Sequence, residues 1–356
     1  MMNDEFAELT QDSFALLQRL IQTPSFSKEE TATADIIAAF LDRYAIPCER
    51  VGNNLIAYNK FYQTDRPTVL LNSHHDTVKP NPGYTRDPFL AEVEAGKLYG
   101  LGSNDAGGCL VSLIAAFRYF YAQTNLPFNL CLIASAEEEI SGRQGLELAY
   151  AHARPCDFAI VGEPTLLDLA VAEKGLMVLD CESLGRSGHA AREEGVNAIY
   201  QAMEDIAWFR TYRFDRQSEF LGPVKMSVTM IDAGSQHNVV PANCKFVVDV
   251  RTTELYTNTD VLAIIREHVK CDVKPRSTRL NSSSIAIDHP IVNSGRRLGK
   301  GLYGSPTMSD QAVLTIPSLK VGPGDSARSH TANEFIYVRE IEEGVQFYIE
   351  LLAGLA

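Results

Sequence analysis

Paired cysteines, clustered basic charge and long apolar runs are all missing from this chain of 356 residues. Its seven cysteines, at positions 48, 109, 131, 156, 181, 244 and 271, are odd in number and form no CxxC pair. That argues against a disulfide framework and a cysteine-type zinc site, and leaves reduced, buried thiols as the expectation. Lys and Arg total 32 against 45 Asp and Glu, a formal charge of −13. Nucleic acid and anionic membranes both require clustered cations, so neither is an expected partner. A small acidic substrate stays open, because a few local arginines suffice inside a pocket. No window approaches the ~18 consecutive apolar residues of a membrane span. The start, Met1-Met2-Asn3-Asp4-Glu5, lacks the basic and apolar regions of a secretory signal, and a cytoplasmic location is expected. Low-complexity tracts and short repeats are absent as well.

What is present is an ordinary globular composition, 45% hydrophobic and 22% charged, long enough for a large core and two domains. Apolar spacing at Phe6, Leu9, Phe14, Leu17 and Leu20 predicts a helix over 5–22, stopping before Pro24. Ser27-Lys28-Glu29-Glu30 reads as a capping box opening a second helix through about Tyr44. Strands are expected near 54–59, 67–73, 129–135 and 158–162, with a helix near 108–122 that is apolar nearly all round. This alternation predicts an α/β fold, a helix-covered mixed β-sheet. From about Lys174 the texture changes. Strands near 176–182, 224–231 and 244–250, with amphipathic helices near 195–210 and 258–269, make a small two-layer α+β unit. Asp288-His289-Pro290-Ile291-Val292 returns to the first texture, which runs on through a strand near 318–322 and a last helix near 339–353. The expected organisation is one domain of residues 1–173 and 284–356, with residues 174–283 inserted into it.

Five segments bring histidine or carboxylate groups to the ends of such runs. In Leu71-Asn72-Ser73-His74-His75-Asp76-Thr77-Val78, strand positions i and i+2 share a face. His74 and Asp76 can then act together, as a metal-bound imidazole whose second nitrogen a carboxylate fixes, while His75 points elsewhere. The segment Gly100-Leu101-Gly102-Ser103-Asn104-Asp105-Ala106-Gly107-Gly108 presents Asp105 just ahead of an apolar helix; its glycine spacing is not that of a phosphate loop. In isolation Asp105 would be read as a helix N-cap. Ala134-Ser135-Ala136-Glu137-Glu138-Glu139 places three carboxylates side by side, which repel unless a cation is present. A lone triple glutamate is more often a solvated loop, but a strand end beside the His74 strand is where ligands bind in open α/β sheets. Ala159-Ile160-Val161-Gly162-Glu163-Pro164 delivers another carboxylate. Ser329-His330-Thr331-Ala332-Asn333-Glu334 adds a histidine that, alone, would be structural. Two histidines and several carboxylates without cysteine suit Zn²⁺, with Co²⁺ or Mn²⁺ as substitutes. Five ligating groups exceed the three that usually hold one catalytic zinc, and they match two metals sharing one bridging carboxylate. A spare glutamate beside them is a natural general base.

With these motifs in this order, the chain resembles the di-zinc deacylase and exopeptidase family, which includes acetylornithine deacetylase, succinyl-diaminopimelate desuccinylase, aminoacylase and glutamate carboxypeptidase. The resemblance covers nearly the whole chain. It implies that His74 and Glu163 hold one zinc, that Glu139 and His330 hold the other, and that Asp105 bridges both. It implies further that Asp76 orients His74 and that Glu138 is the catalytic base. The inserted domain would then dimerise. Gly185-Arg186-Ser187-Gly188-His189 resembles the motif whose histidine, here His189, reaches the partner subunit's active site in a homodimer and steadies the oxyanion. Asn238, in Gln236-His237-Asn238-Val239-Val240-Pro241, and Arg251 match positions that contact the substrate carboxylate. Read from residues alone, His189 would be an exposed turn histidine and Arg251 a solvated arginine. One departure stands out: many members read Arg-Gly-x-x-Asp-Met-Lys-Gly around the bridging aspartate, and Leu101 and Gly107 replace the Arg and the Lys here. The likeness is nearest to the arginine- and lysine-pathway deacylases. It implies hydrolysis of N-acetyl- or N-succinyl-ornithine or -citrulline in arginine biosynthesis. A succinyl-diaminopimelate desuccinylase or a dipeptidase is the alternative. A catalytically silent metal-binding homologue is a third reading, against which the intact base and ligands argue.

Overall fold

The computed structural model describes residues 2–192 and 194–355. The chain divides into two compact units, one of Met1–Val171, Ser284–Tyr303 and Ser309–Ala356, the other of Ala172–Ser283 and Gly304–Met308.

In the first unit the runs Val69–Leu71, Leu130–Ala134 and Ala159–Val161 are buried throughout. Uninterrupted apolar runs are what strands covered on both faces require. They form the centre of a mixed sheet in the order Cys48–Val51, Asn54–Tyr58, Asn129–Ser135, Thr68–His74, Phe158–Val161, Ser318–Lys320, Leu169–Glu173. The four strands from Asn129–Ser135 to Ser318–Lys320 run parallel, and the flanking pairs are antiparallel. On one face the helix Gly108–Tyr121 packs on Thr68–His74 and between the first helix, Met2–Ile21, and the last, Val338–Ala353. It is buried from Gly108 to Phe117, as its all-round apolar sequence predicts. On the other face Leu146 and Ala149 of the helix Leu146–His152 join Ile56, Leu70, Cys131, Ile133, Ala159 and Val161 in an apolar cluster. Because four strands point the same way, His74, Glu137–Glu139, Glu163 and the segment after Lys320 all emerge at one end of the sheet.

Two local readings are corrected. The helix Thr31–Arg43 has Glu30 at its N-cap with no side-chain cap bond, so Ser27 and Glu30 do not form a capping box. A true one lies at Thr257, whose hydroxyl receives the Asp260 N–H while the Asp260 carboxylate receives the Thr257 N–H. Nor does Asp105 cap its helix; Gly107 takes the N-cap position and Asp105 has φ −115° and ψ 96°. The glycine-rich turn around it is tight. Gly102 has φ +74°, and a Cβ on Gly107 would stand 2.4 Å from the Gly102 carbonyl oxygen and 2.6 Å from Leu17 Cδ1. Gly107 therefore has no room for a lysine, and Leu101 is buried as a core residue.

In the second unit, burial alternates residue by residue along Gly175–Leu184 and Asn243–Thr252, the period-2 signature of a sheet with one covered face. Four antiparallel strands stand in the order Lys225–Ala233, Asn243–Thr252, Gly175–Leu184, Asp272–Pro275. The helices Ala198–Thr211 and Asn258–His268 bury Ala202, Phe209, Val261 and Ile265 against Leu179, Phe246, Val248 and Val250 in one core. This is a two-layer α+β unit. Among the described residues, no helix is long and apolar enough to cross a membrane.

Candidate metal centre

His74 closes its strand with a side chain only 1% exposed. Its Nδ1 bonds to the Asp76 carbonyl oxygen at 3.0 Å, which in the neutral ring makes Nδ1 the protonated nitrogen and leaves Nε2 the lone pair. That Nε2 is buried without a hydrogen-bond partner. It nevertheless faces three carboxylates, with Asp105 Oδ1 at 3.4 Å, Glu163 Oε1 at 3.8 Å and Glu138 Oε2 at 3.9 Å. The other oxygen of Asp105 faces His330 Nε2 at 3.6 Å, and His330 Nε2 lies 2.9 Å from Glu139 Oε2. Asp105 thus stands between the two imidazoles with one oxygen toward each.

The side chains are held by long-range contacts. The Asp76 carboxylate is 3.5 Å from His74 Nδ1, so the residue fixes the imidazole chiefly through its own carbonyl. Its carboxylate instead accepts the backbone N–H groups of Glu138 at 3.0 Å and Glu139 at 3.2 Å. Asp105 is presented by Glu334, a buried carboxylate that accepts the N–H groups of Gly102, Asn104 and Asp105 at 3.2, 2.8 and 3.0 Å. Asn104 locks that turn to the His330 segment by exchanging two 3.0 Å bonds with Asp325. His75 turns away, to Thr33 Oγ1 and the Asn53 carbonyl.

Crowding these charges shifts their protonation. Burial raises Glu163 to about 8, with the charges of Asp105 and Glu139 adding to it and those of His74 and Lys320 opposing. Burial likewise raises Glu138 well above the usual carboxylate range, reinforced by Glu163, Asp310 and Glu139. Its bond to Glu139 lifts His330 to about 9. For His74, burial opposes the charge but the facing carboxylates of Asp105, Asp76, Glu138 and Glu163 prevail, and its pKa rises. Burial and the Asp105 charge push Glu334 to about 8, against three N–H donors that favour its ionised form. Protons stand in for cations wherever carboxylates are packed this closely.

A metal fits this donor set. Two groups, His74–Glu138–Glu163 and His74–Asp105–Glu139, each bring one donor atom per residue within 4.8 Å of the others. Donors about 2.0–2.1 Å from a tetrahedral zinc stand roughly 3.3 Å from one another. The 3.4 to 3.9 Å spacings around the orphaned His74 Nε2 are too long for hydrogen bonds and close to that separation. His330 enters neither group, although its Nε2 faces both Asp105 and Glu139.

The remaining candidates lie in the second unit. His189 is exposed in a two-residue strand paired with Val239–Val240. Its Nδ1 accepts the Ala191 N–H at 3.1 Å, leaving Nε2 to carry the proton in the neutral ring. Asn238 is its neighbour, since the Ala190 N–H donates to the Asn238 carbonyl at 2.9 Å. Arg251 is not with them. It lies near the far end of the strand that begins at Asn243, and its guanidinium forks onto Asp249 at 2.9 and 3.1 Å. Glu334 and Asp310 carried no role in the sequence, and Ser27 and Glu30 only that of a helix cap. Asp310 accepts the Ser135 hydroxyl at 2.5 Å, and burial raises it to about 6. Its only sequence signal was an acidic residue ahead of an apolar run, which is too common to single it out.

Imidazoles and carboxylates converging at the carboxyl end of a parallel sheet define a metal-dependent hydrolase site. The chain belongs to the peptidase family M20/M25/M40, which it matches over residues 70–354, and is a metal-dependent amidohydrolase. Acetylornithine deacetylase of Proteus mirabilis is 30% identical over 361 residues, covering 92% of this chain and 92% of that protein. Succinyl-diaminopimelate desuccinylase 2 of a Ruegeria species is 28% identical over 276 residues, covering 73% and 70%. The fold is shared with a dinuclear metal-binding peptidase of the M20 family from Bacillus subtilis, at TM-score 0.72 and 17% identity over 97% and 98% of the two chains.

Proposed function

We propose that the protein hydrolyses an N-acyl amide, N-acetyl- or N-succinyl-ornithine or -citrulline, to the acyl acid and the free amino acid. The observation that carries this reading is Asp105, with one carboxylate oxygen toward His74 and the other toward His330. In this reading His74 and Glu163 would hold one Zn²⁺ and Glu139 and His330 the second, with Asp105 available to both; Co²⁺ or Mn²⁺ would be substitutes. Bound there, the cations supply a polarised amide carbonyl and a more acidic attacking water. Glu138 takes the proton of that water and delivers it to the leaving amine, so the C–N bond breaks to an amine rather than an amide anion. Asp76 keeps Glu138 and Glu139 in place through their backbone N–H groups.

The inserted unit would make the protein a homodimer. Lys225–Ala233 is an edge strand with Met230 64% and Ile231 57% exposed, and Tyr200 and Met203 are exposed on the helix Ala198–Thr211. An open apolar edge of this kind calls for a partner. His189, through Nε2–H, would stabilise the oxyanion in the partner's site, with Asn238 beside it on substrate and Arg251 acting separately. Mixed dimers of His189→Ala and Glu138→Gln subunits then regain activity that neither parent has; no regain removes His189 from this role.

Release of free amine is the test of substrate. Zinc-loaded protein is assayed on acetyl- and succinyl-ornithine, acetyl- and succinyl-citrulline, succinyl-diaminopimelate and a few dipeptides. Preference for an ornithine or citrulline amide supports the proposal. Preference for succinyl-diaminopimelate or for dipeptides replaces it with those substrates.

A further inference from the structure

The segment Ser25–Glu30, between the first two helices, gives the second helix no side-chain cap bond, and several of its polar groups reach the catalytic end of the sheet. Phe26 bridges to Thr77, the Thr77 N–H donates to the Ser25 carbonyl at 2.9 Å, and the Ser25 hydroxyl donates to the His75 carbonyl at 2.9 Å. The segment therefore lies alongside His75–Thr77, joined to it by one isolated parallel bridge. Two of its side chains reach further. The Ser27 hydroxyl donates to Asp76 Oδ2 at 2.7 Å. Glu30, 1% exposed, accepts the Asn53 amide at 2.9 Å, the Lys28 N–H at 2.5 Å and the Glu137 N–H at 3.3 Å.

Together with the two Asp76 bonds, these contacts give each of three successive backbone amides a buried carboxylate. Glu137 N–H goes to Glu30, Glu138 N–H to Asp76 Oδ1 and Glu139 N–H to Asp76 Oδ2. The turn needs such support, because Glu137 and Ser141 have φ of 54° and 48° and non-glycine residues rarely adopt that conformation. Carboxylates accepting backbone N–H groups make charge-assisted bonds, roughly twice as strong as neutral ones. A carboxylate tied on one side to Ser27 can hold the Glu138 and Glu139 amides in only one orientation.

We infer that Ser27, through Asp76, and Glu30, directly, are positioning residues that fix the backbone of the Glu137–Glu139 turn and so aim Glu138 at the reacting water. The inference rests on Glu138 being the general base. It assigns a role to the Ser27-Lys28-Glu29-Glu30 motif that the helix does not use.

The test uses the full-length zinc-loaded enzyme. Amide hydrogen exchange is followed over residues 134–141, and kcat and KM are measured with the substrate it cleaves best among those named above. In Ser27→Ala the Glu138 and Glu139 amides exchange about tenfold faster. Turnover falls by a similar factor, while KM and bound zinc stay at the wild-type values. Ser27→Thr, which keeps the hydroxyl, restores both. Glu30→Gln speeds exchange at Glu137 and also lowers kcat, and it carries the test if Ser27→Ala fails to fold. Wild-type exchange and kcat in Ser27→Ala overturn the inference, as does a Ser27→Thr enzyme no better than Ser27→Ala. Glu138→Gln separates this from the underlying reading. Full turnover in that variant removes the base and this inference with it, whereas an inactive Glu138→Gln beside a wild-type Ser27→Ala overturns the inference alone.

Discussion

Glu138→Gln lowers kcat by about 10³-fold and leaves the bound metal at the wild-type amount. Glutamine keeps the size of the side chain and one carbonyl oxygen but cannot accept and return a proton. Every step that needs the water deprotonated or the amine protonated then proceeds without help. The geometry also admits a competing outcome. Glu138 Oε2 stands 3.9 Å from His74 Nε2 and belongs to one of the two possible donor groups. If Glu138 were a ligand rather than the base, metal content would fall together with the rate. Steady-state kinetics and elemental analysis on one preparation distinguish the two. Wild-type turnover in this variant contradicts both assignments.

Stripping the metal with a chelator abolishes turnover and makes stability fall with rising pH. The sign follows from the raised groups. Glu163 and Glu334 titrate near 8 in the metal-free fold against a reference of 4.5. Protonated, they cost little to bury. The stability they allow is fully present below about 4.5 and is lost as the pH rises through 8. His330, at about 9 against 6.5, acts in the same direction: its bond to Glu139 contributes below 6.5 and is lost through 9. The lowered aspartates, Asp76 and Asp105, have their window below the ordinary aspartate range, and the histidines that burial lowers, His75 and His289, oppose the trend only up to about 6.5. The metal-free Tm therefore falls from about pH 7 to pH 9. Saturating Zn²⁺ flattens that slope, because the cation replaces the protons. A metal-free Tm that rises over the same interval contradicts this electrostatic account.

The helix-covered mixed sheet was legible because each central strand is an unbroken apolar run, and the polar residue that ends it marks where the strand leaves the core. His74, Glu163 and the Glu137–Glu139 triplet were legible for that reason, whereas the choice of Glu138 within the triplet rested on the family resemblance. Asp105 and His330 sit in turns, and only the order of the motifs singled them out. The supporting residues were illegible on physical grounds. Ser27 meets Asp76 across 49 positions, Glu30 meets Glu137 across 107, and Glu334 meets Asp105 across 229. No local pattern encodes a bond over such separations. The Ser27–Glu30 spacing is also that of a capping box, and a local rule preferred the local partner. In the second unit, alternation gave the strands directly, because one face is covered by helices and the other is not. It could not show that Arg251 would be taken up by Asp249, two residues back on the same strand face.

The account stands on two cations held at the Asp105 cluster and required for amide cleavage. Metal-stripped protein is titrated with Zn²⁺ while bound metal per chain and amine release from acetylornithine and the other amides named above are read together, with Asp105→Asn in parallel. Two Zn²⁺ bind per chain, activity returns as they bind, and the Asp105→Asn protein neither fills both positions nor turns over. Full amide cleavage by the metal-free chain, or wild-type metal content and turnover in Asp105→Asn, would contradict it.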